Sequence, residues 1–581
     1  MSGGINTSGD ITPGKLKSRW ITKTGSTQIF FTRSFHHIIG ATIFYNPPLS
    51  DCMFSSKENI NILTSLLIDY GVRHIVVCPG SRNAPIVHNF NESADFICHP
   101  VTDERSAAFV ALGIAHQTGE IVAVCVTSGS ALLNTLPGTA EASYQNRGII
   151  VISADRPQAW IGQLDGQTMP QPNALGIFVE KSVNLPECKD EIEIWQCRRL
   201  VCEAILTLMN TKKSVHINVP ITEPLFNFTV KELPNLQGVY PLRWHDDLEQ
   251  KFFLDLLSQS QRPMFVIGQC QRYEIPADAI AKLRQGITIL SEPLSSDAPS
   301  PSLDDTFKKI GSATEEYKPD FLLYIGNTTI SKRLRQFLRT LDDCTIVMLN
   351  ERMQLEDITQ NANYVLQGNA TKVLEDLSSM LQLEKNAYGM NWDRLLSSVR
   401  EDAKLQPKTI TEAAVQELEK RITKENDIYY ANSTAIRLAA RHANHFVFCN
   451  RGINGIEGSL STAVGASLVS EDNVYCVIGD LSFFYDQNAL WNQHLKSNLR
   501  ILLLNNGGGE IFKQLPGLED SPARDEYVMA SHHTNALGTC HQYGISRKAI
   551  SKAEDIAKAI DWLMEENCNA ARLLEVITID I

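Results

Sequence analysis

Asp480 and Asn506 each stand just past a short apolar run, Val474–Ile478 and Ile501–Leu504, with helical character over Asp486–Lys496 between them. In a parallel α/β sheet the carboxyl ends of neighbouring strands open on one crevice, so two oxygen ligands placed there can converge on one ion. A carboxylate, a side-chain amide and a backbone carbonyl such as that of Gly508 make a hard-oxygen set that suits Mg²⁺, which completes its octahedron with phosphate oxygens. The glycines of Asn505-Asn506-Gly507-Gly508-Gly509 let a phosphate approach the backbone. The pair reads as a clamp for a metal and a diphosphate, although any α/β sheet brings an occasional Asp and Asn to its strand ends.

A second set of chemistry-bearing residues lies nearer the N-terminus. Strands are expected at His74–Cys78, Ile121–Val126, Gly148–Ser153 and His216–Val219, with helices near Arg105–Gln117 and Ala131–Tyr144. Their ends carry Cys78-Pro79-Gly80-Ser81-Arg82, Asp103-Glu104-Arg105-Ser106, Thr127-Ser128-Gly129-Ser130 and Ala154-Asp155-Arg156-Pro157, a ring of hydroxyls and guanidiniums. A carboxylate at a helix start is by default a complement to the helix dipole, worth about 0.3–1 kcal/mol. That explanation suits Asp103 better than Glu104.

The frame for these loops is large. A chain of 581 residues exceeds one hydrophobic core and suggests three domains. With 43% apolar and 20% charged residues, and no run near the ~18 apolar residues of a membrane helix, no membrane span is expected. A net charge of −13 without a basic patch argues against a nucleic-acid partner, so arginines at strand ends read as local anion ligands. Thirteen cysteines lack CxxC spacing, and Cys78, Cys125, Cys449 and Cys476 fall inside apolar runs; they read as buried thiols of a reducing, cytoplasmic compartment.

Residues 1–52, rich in Ser, Thr and Gly and basic at Lys15, Lys17, Arg19, Lys23 and Arg33, read as an extension outside the fold, disordered or not native, in preference to a transit peptide. Periodic structure begins at Met53, with an amphipathic helix over Glu58–Tyr70. The first α/β domain is expected over 53–235. A smaller Rossmann-like unit over 236–385 has strands at Met264–Gly268, Thr288–Leu290, Phe321–Gly326 and Thr345–Asn350, with a polar helical linker at Leu381–Lys408. The last domain, 386–581, holds the clamp, and shares a strand-loop-helix rhythm with the first.

Gly479-Asp480 followed by Asn505-Asn506 resembles the thiamine-diphosphate (ThDP) fingerprint of the decarboxylase and synthase superfamily. Seven motifs occur in one order: Cys-Pro-Gly-Ser-Arg, Asp-Glu-Arg, Thr-Ser-Gly, Ala-Asp-Arg-Pro, then Asn450-Arg451-Gly452-Ile453-Asn454-Gly455-Ile456-Glu457-Gly458, Gly479-Asp480-Leu481-Ser482 and Asn505–Phe512. That order is similar to the 2-succinyl-5-enolpyruvyl-6-hydroxy-3-cyclohexene-1-carboxylate synthase family of menaquinone biosynthesis, from about Met53 to Ile581. Leu481, where the superfamily has Gly, is itself this family's pattern.

The resemblance implies three doubly wound parallel-sheet domains, one binding the pyrimidine and one the diphosphate, with ThDP and Mg²⁺ or Mn²⁺ as cofactors. It implies decarboxylation of 2-oxoglutarate and 1,4-addition of the succinyl carbanion to isochorismate. Glu104 matches the Glu that shares a proton with the pyrimidine ring, and Ile456 the bulky residue that bends the cofactor, a role compatible with core packing. Gly479, Asp480, Leu481, Ser482 and Asn506 would hold cofactor, with Asp480, Asn506 and Gly508 on the metal. Ser81, Arg82, Arg156, Gln167 and Lys332 would face isochorismate, with Arg333 or Arg335 as replacements for Lys332. Arg437 and Arg451 would hold the succinyl carboxylate, Ser433 would line its pocket, and Ile511, Phe512 and Leu515 would form an apolar wall. Arg82, Arg437 and Arg451 are expected, with Glu104, to act in catalysis. Asp165-Gly166-Gln167 departs from the family's Ala-Asn-Gln, so only Gln167 is carried over. Sites shared across a homodimer are implied, with a tetramer left open. Another ThDP enzyme, acting on less anionic substrates, would leave the arginines without a task; a noncatalytic relic would not need Glu104, Asp480 and Asn506 together.

Overall fold

Three all-parallel sheets, with a two-stranded antiparallel ribbon of Phe54–Ser55 and Phe228–Val230, make up the strands of the described residues. The computed structural model describes residues 53–312, 314–405, 407–515, 517–566 and 568–578, so the expectation for residues 1–52 lies outside the described residues. The described residues up to Leu236 form one compact unit and those from Gln237 a second.

In the first unit six strands lie in the order Ile97–Pro100, His74–Val77, Val122–Val126, Ile150–Asp155, Val215–Pro220, Lys181–Asn184. Val122–Val126, Ile150–Asp155 and Val215–Pro220 are fully buried and largely apolar, as strands covered by helices on both faces require. The two edge strands, Ile-Cys-His-Pro and Lys-Ser-Val-Asn, escape a search for apolar runs because an edge is only partly covered. The expected helix over Ala131–Tyr144 is two, Ser130–Asn134 and Leu136–Tyr144, because Pro137 cannot continue the first and starts the second.

The second unit holds two sheets. One runs Thr288–Ser291, Pro263–Ile267, Phe321–Ile325, Thr345–Asn350, Tyr364–Gln367, Tyr240–Arg243. Its residues alternate between two cores: Phe265, Leu323 and Val347 face one, Met264, Leu322 and Ile346 the other. The segment expected as a polar linker contributes a helix, Ala387–Asp402, whose Tyr388, Trp392, Leu395 and Val399 enter the second of these cores. Its polar residues occupy the outer face, which masked the apolar stripe. The last sheet runs Asp427–Tyr430, Val474–Gly479, Leu499–Asn505, Arg572–Ile577, Ser546–Ile550. The helix expected over Asp486–Lys496 starts earlier, at Asp480, and gives way at Gln487–Leu490 to a tight turn of 3₁₀ helix.

Candidate active site

The clamp is built by strand register. Gly479 pairs with Leu504 at the carboxyl ends of neighbouring parallel strands, so Asp480 and Asn506 leave the sheet side by side. Asp480 is only 3% exposed. Its Oδ2 accepts from the backbone N–H groups of Asn506, Gly507 and Gly508 at 3.0, 2.6 and 3.0 Å, and its Oδ1 from Leu481 at 2.7 Å. Burial pushes its carboxyl above the usual range, against the pull of those N–H donors and of His532, whose Nε2 lies 3.4 Å from Oδ2. Gly508 has φ +145° and approaches Met529 so closely that a Cβ would lie 2.8 Å from its carbonyl oxygen, which fixes glycine there.

The two asparagines divide their work. Asn505 is fully buried and donates to Thr534 O and Glu575 Oε1 at 2.9 and 2.8 Å, holding neighbouring segments together. Asn506 is half-buried, and its Nδ2 donates to Glu510 at 3.1 Å. His532 accepts the Thr534 N–H on Nδ1 at 3.1 Å, so the ring proton sits on Nε2, which is buried without a hydrogen-bond partner beside Asp480. A Cβ on Gly479 would meet nothing within 4 Å. A hard-oxygen set, open space beside Gly479 and an unused N–H donor are what a metal-bound diphosphate requires, so these residues fit Mg²⁺ and ThDP. Ser482 is buried and Leu481 half-buried beside them. Ile456 is 39% exposed, so core packing does not account for it.

Close by in the same unit lies a cavity of about 490 Å³ lined by Arg437, Arg441, Arg333, Ser331, Glu292 and Ile511 among others. Arg451 is held by neutral oxygens: Nη1 donates to Asn432 Oδ1 at 3.2 Å and Nη2 to Thr329 O at 3.1 Å. Its Nε–H is buried without an acceptor. Burial lowers the affinity of this guanidinium for its proton, Cys449 and Glu292 pull the other way, and Arg335 and Arg437 lower it further by repulsion. Ser433 begins the helix Thr434–His442 at φ +69°, a conformation costing about 1–3 kcal/mol in a non-glycine residue. Lys332 is exposed and does not line the cavity, whereas Arg333 lines it and Arg335 acts on Arg451. Phe512 is half-buried and Leu515 is 45% exposed, so neither is part of the sealed core.

The first unit assembles its loops around a close contact. A Cβ on Gly80 would lie 2.3 Å from Thr127 Cβ, so only glycine lets the Ser81-Arg82 turn reach Thr127-Ser128-Gly129. Arg82 is buried, donating to Ile221 O and Glu223 Oε1 at 3.1 Å each, while Ser81 is exposed. Arg156 donates from Nη1 to Ser128 Oγ at 2.8 Å and Gln167 O at 3.1 Å, and its Nε lies 2.7 Å from Asp165 Oδ2. Gln167, at φ +59°, donates to Ser128 O at 3.1 Å. Asp103 is the N-cap of helix Glu104–Thr118, accepting from Arg105 N at 3.0 Å. Glu104 is half-buried, and its carboxylate accepts from Asn134 Nδ2 at 3.3 Å.

Sequence reasoning passed over Glu292, His532 and the acids that pair with Arg82 and Arg156. Glu292 had a readable signal, a carboxylate directly after the apolar strand Thr288–Ser291; His532 and Glu223 had none.

Residues 60–176 match the thiamine pyrophosphate enzyme, N-terminal TPP binding domain, and residues 431–576 the corresponding C-terminal TPP binding domain. The chain is 39% identical over 540 residues to the 2-succinyl-5-enolpyruvyl-6-hydroxy-3-cyclohexene-1-carboxylate synthase of Phocaeicola vulgatus, covering 90% of this chain and 96% of that protein. It is 39% identical over 526 residues to the synthase of that name from Bacteroides thetaiotaomicron (87% and 93% covered) and 33% over 530 residues to that from Flavobacterium johnsoniae (87% and 94% covered). Matched in both cofactor-binding domains and along some nine tenths of its length, the chain belongs to the 2-succinyl-5-enolpyruvyl-6-hydroxy-3-cyclohexene-1-carboxylate synthase family of ThDP enzymes.

Proposed function

We propose that this chain decarboxylates 2-oxoglutarate and joins the succinyl fragment to isochorismate by 1,4-addition, releasing CO₂ and giving 2-succinyl-5-enolpyruvyl-6-hydroxy-3-cyclohexene-1-carboxylate for menaquinone biosynthesis. The observation that carries the reading is Arg451, a guanidinium with a buried, unused Nε–H, in electrostatic reach of Arg335 and Arg437, the latter on the cavity wall. Such a pocket suits a substrate with a carboxylate remote from its reacting carbon.

When bound, ThDP supplies the nucleophilic carbon and takes up the electrons left by CO₂. Asp480, Asn506 and the Gly508 carbonyl would hold Mg²⁺ or Mn²⁺, which would supply positive charge for the diphosphate. Gly479, Leu481 and Ser482 would shape that end, and Ile456 would pack against the cofactor. Glu104 holds a proton at the pyrimidine ring. Arg451, Arg437 and Ser433 grip the succinyl carboxylate. Ser81, Arg82, Arg156 and Gln167 face isochorismate, joined by a cation from Lys332, Arg333 or Arg335. Ile511 and Phe512 shield the reacting carbon from water.

We assign the active form as a homodimer, because Phe109 and Val110 on the Glu104 helix and Leu133 beside it are 44%, 39% and 42% exposed, an apolar face that a partner would cover. No helix among the described residues is long and apolar enough to cross a membrane, and the placement we favour is cytoplasmic. The test is 2-oxoglutarate-dependent loss of isochorismate absorbance with ThDP and Mg²⁺ supplied or withheld. Turnover only with both supports the reading; no loss of isochorismate with every component present contradicts it.

A further inference from the structure

Glu292 is a buried acid among the arginines, and the chemistry above gives it no task. It follows the strand Thr288–Ser291 and is 3% exposed. Its two carboxylate oxygens accept the backbone N–H groups of Ile330 and Ser331 at 2.5 and 2.9 Å. The residue before them, Thr329, offers the carbonyl that receives Arg451 Nη2 at 3.1 Å. Asp304 braces the same turn from its other side, accepting Ser331 Oγ at 2.6 Å. A carboxylate that takes two adjacent N–H groups fixes the peptide planes of that turn, and therefore the direction of the Thr329 carbonyl.

We propose that Glu292 is a positioning residue for the 2-oxoglutarate subsite: by clamping Ile330 and Ser331 it aims the Thr329 carbonyl at Arg451 and so sets the guanidinium that receives the substrate's distal carboxylate. This rests on Arg451 having the role given to it above. Geometry makes the ionised form the working one, because two oxygens must both accept; a protonated carboxyl turns one of them into a donor facing an N–H. Burial, with Asp304 adding to it, pushes this acid up to about 7, against the pull of the Ile330 and Ser331 N–H groups and of Arg451. Tyr324, on the strand Phe321–Ile325 two places along the sheet, interacts with it electrostatically, and Arg335 and Arg437 act on Arg451. The clamp therefore holds above about pH 7 and loosens as pH falls through it.

The test measures KM for each substrate across neutral pH in the ThDP- and Mg²⁺-loaded enzyme, for the wild type, Glu292→Gln, Glu292→Asp, Arg451→Ala and the Glu292→Gln/Arg451→Ala double variant. In the wild type KM for 2-oxoglutarate should rise as pH falls through about 7. Glu292→Gln should raise it about tenfold at high pH and flatten that dependence, leaving KM for isochorismate unchanged and lowering the thermal midpoint only modestly, since one buried N–H loses its acceptor. Glu292→Asp, which keeps the charge but not the reach, should lie between and keep the pH dependence. In the double variant Glu292→Gln should add nothing to Arg451→Ala, since one acts through the other. An unchanged KM in Glu292→Gln while Arg451→Ala raises it overturns the inference alone. A KM that falls in Glu292→Gln also overturns it, because Glu292 would then be competing with substrate for Arg451. If Arg451→Ala itself leaves KM for 2-oxoglutarate unchanged, the reading of Arg451 fails and the inference falls with it.

Discussion

Arg82 and Arg156 of the first unit and Arg451 of the second are held in opposite ways. In the first unit Arg82 meets Glu223 at 3.1 Å and Arg156 meets Asp165 at 2.7 Å. In the second, Arg451 is fixed by a carbonyl and an amide oxygen, and among the described residues neither it nor Arg437 has a carboxylate in ion-pair contact. Glu223 and Asp165 have side chains 73% and 41% exposed, and pairs with so wet a partner are worth about 0–1 kcal/mol. A substrate carboxylate can displace them at little cost. Arg451 has no contacting carboxylate to exchange: Glu292 acts on it only through space, and its neutral hydrogen-bond partners set its direction. On the reading proposed here, the isochorismate side swaps ion pairs while the 2-oxoglutarate side fills an open one.

The largest effect should come from the clamp. Asp480→Ala or Asn506→Ala removes an oxygen ligand from the ion that carries the diphosphate, and each should abolish retention of ThDP on gel filtration. Cofactor carried through the column by either variant at wild-type stoichiometry would break the assignment of that end of the second unit. Next is the pairing of units across a dimer. Glu104→Ala and Asp480→Ala chains, inactive alone, should recover activity when co-expressed, since a mixed dimer has one site with both residues intact; a purified mixed dimer as inactive as its parents would place both residues in one chain's site.

A smaller effect separates the units by pH. His216 is fully buried in the first unit, contacting Ser153 Oγ at 2.7 Å and Ser182 Oγ at 3.0 Å, and burial pushes its imidazole down from 6.5 to about 4. The folded form stays neutral while the unfolded chain takes up a proton. Stability is thus present above about pH 6.5 and lost as pH falls toward 4, by up to about 3 kcal/mol. Denaturant unfolding between about pH 7 and about pH 5 should show that loss in the wild type and less of it in His216→Gln; equal slopes in the two proteins would assign the acid lability elsewhere. The smallest effect belongs to the exchangeable pairs. Asp165→Asn should lower KM for isochorismate by no more than about fivefold, the equivalent of one exposed ion pair, and a rise instead would mean that Asp165 orients Arg156 rather than occupying it.

Much of this arrangement was legible in the residues. Apolar runs located the central strands because a parallel sheet buried on both faces favours them, and the turns after them located Asp480, Asn506, Arg82 and Arg156, whereas Arg451 came from the family motif. Edge strands such as Lys181–Asn184 were not legible, since their composition answers to solvent on one side. The helix Ala387–Asp402 was read as helical but not as core, because four apolar residues sufficed to bury it. At the site, spacing named Asp480 but could not foresee that its carboxylate rests on four backbone N–H groups, nor that Asn505 is structural while Asn506 is half-buried and bonded to Glu510. Those are properties of loop conformation and of partners far away in sequence. At Lys332 the motif reached a turn that presents three cations: Lys332 is exposed, Arg333 lines the cavity and Arg335 acts on Arg451.

The division of arginines between substrates is the central claim, and steady-state KM values for both substrates in Arg451→Ala and Arg156→Ala test it most directly. Arg451→Ala should raise KM for 2-oxoglutarate by about 10- to 100-fold with little change for isochorismate, the loss of one or two charge-assisted hydrogen bonds, and Arg156→Ala should show the reverse pattern. The opposite crossing, or equal changes for both substrates in either variant, would contradict it.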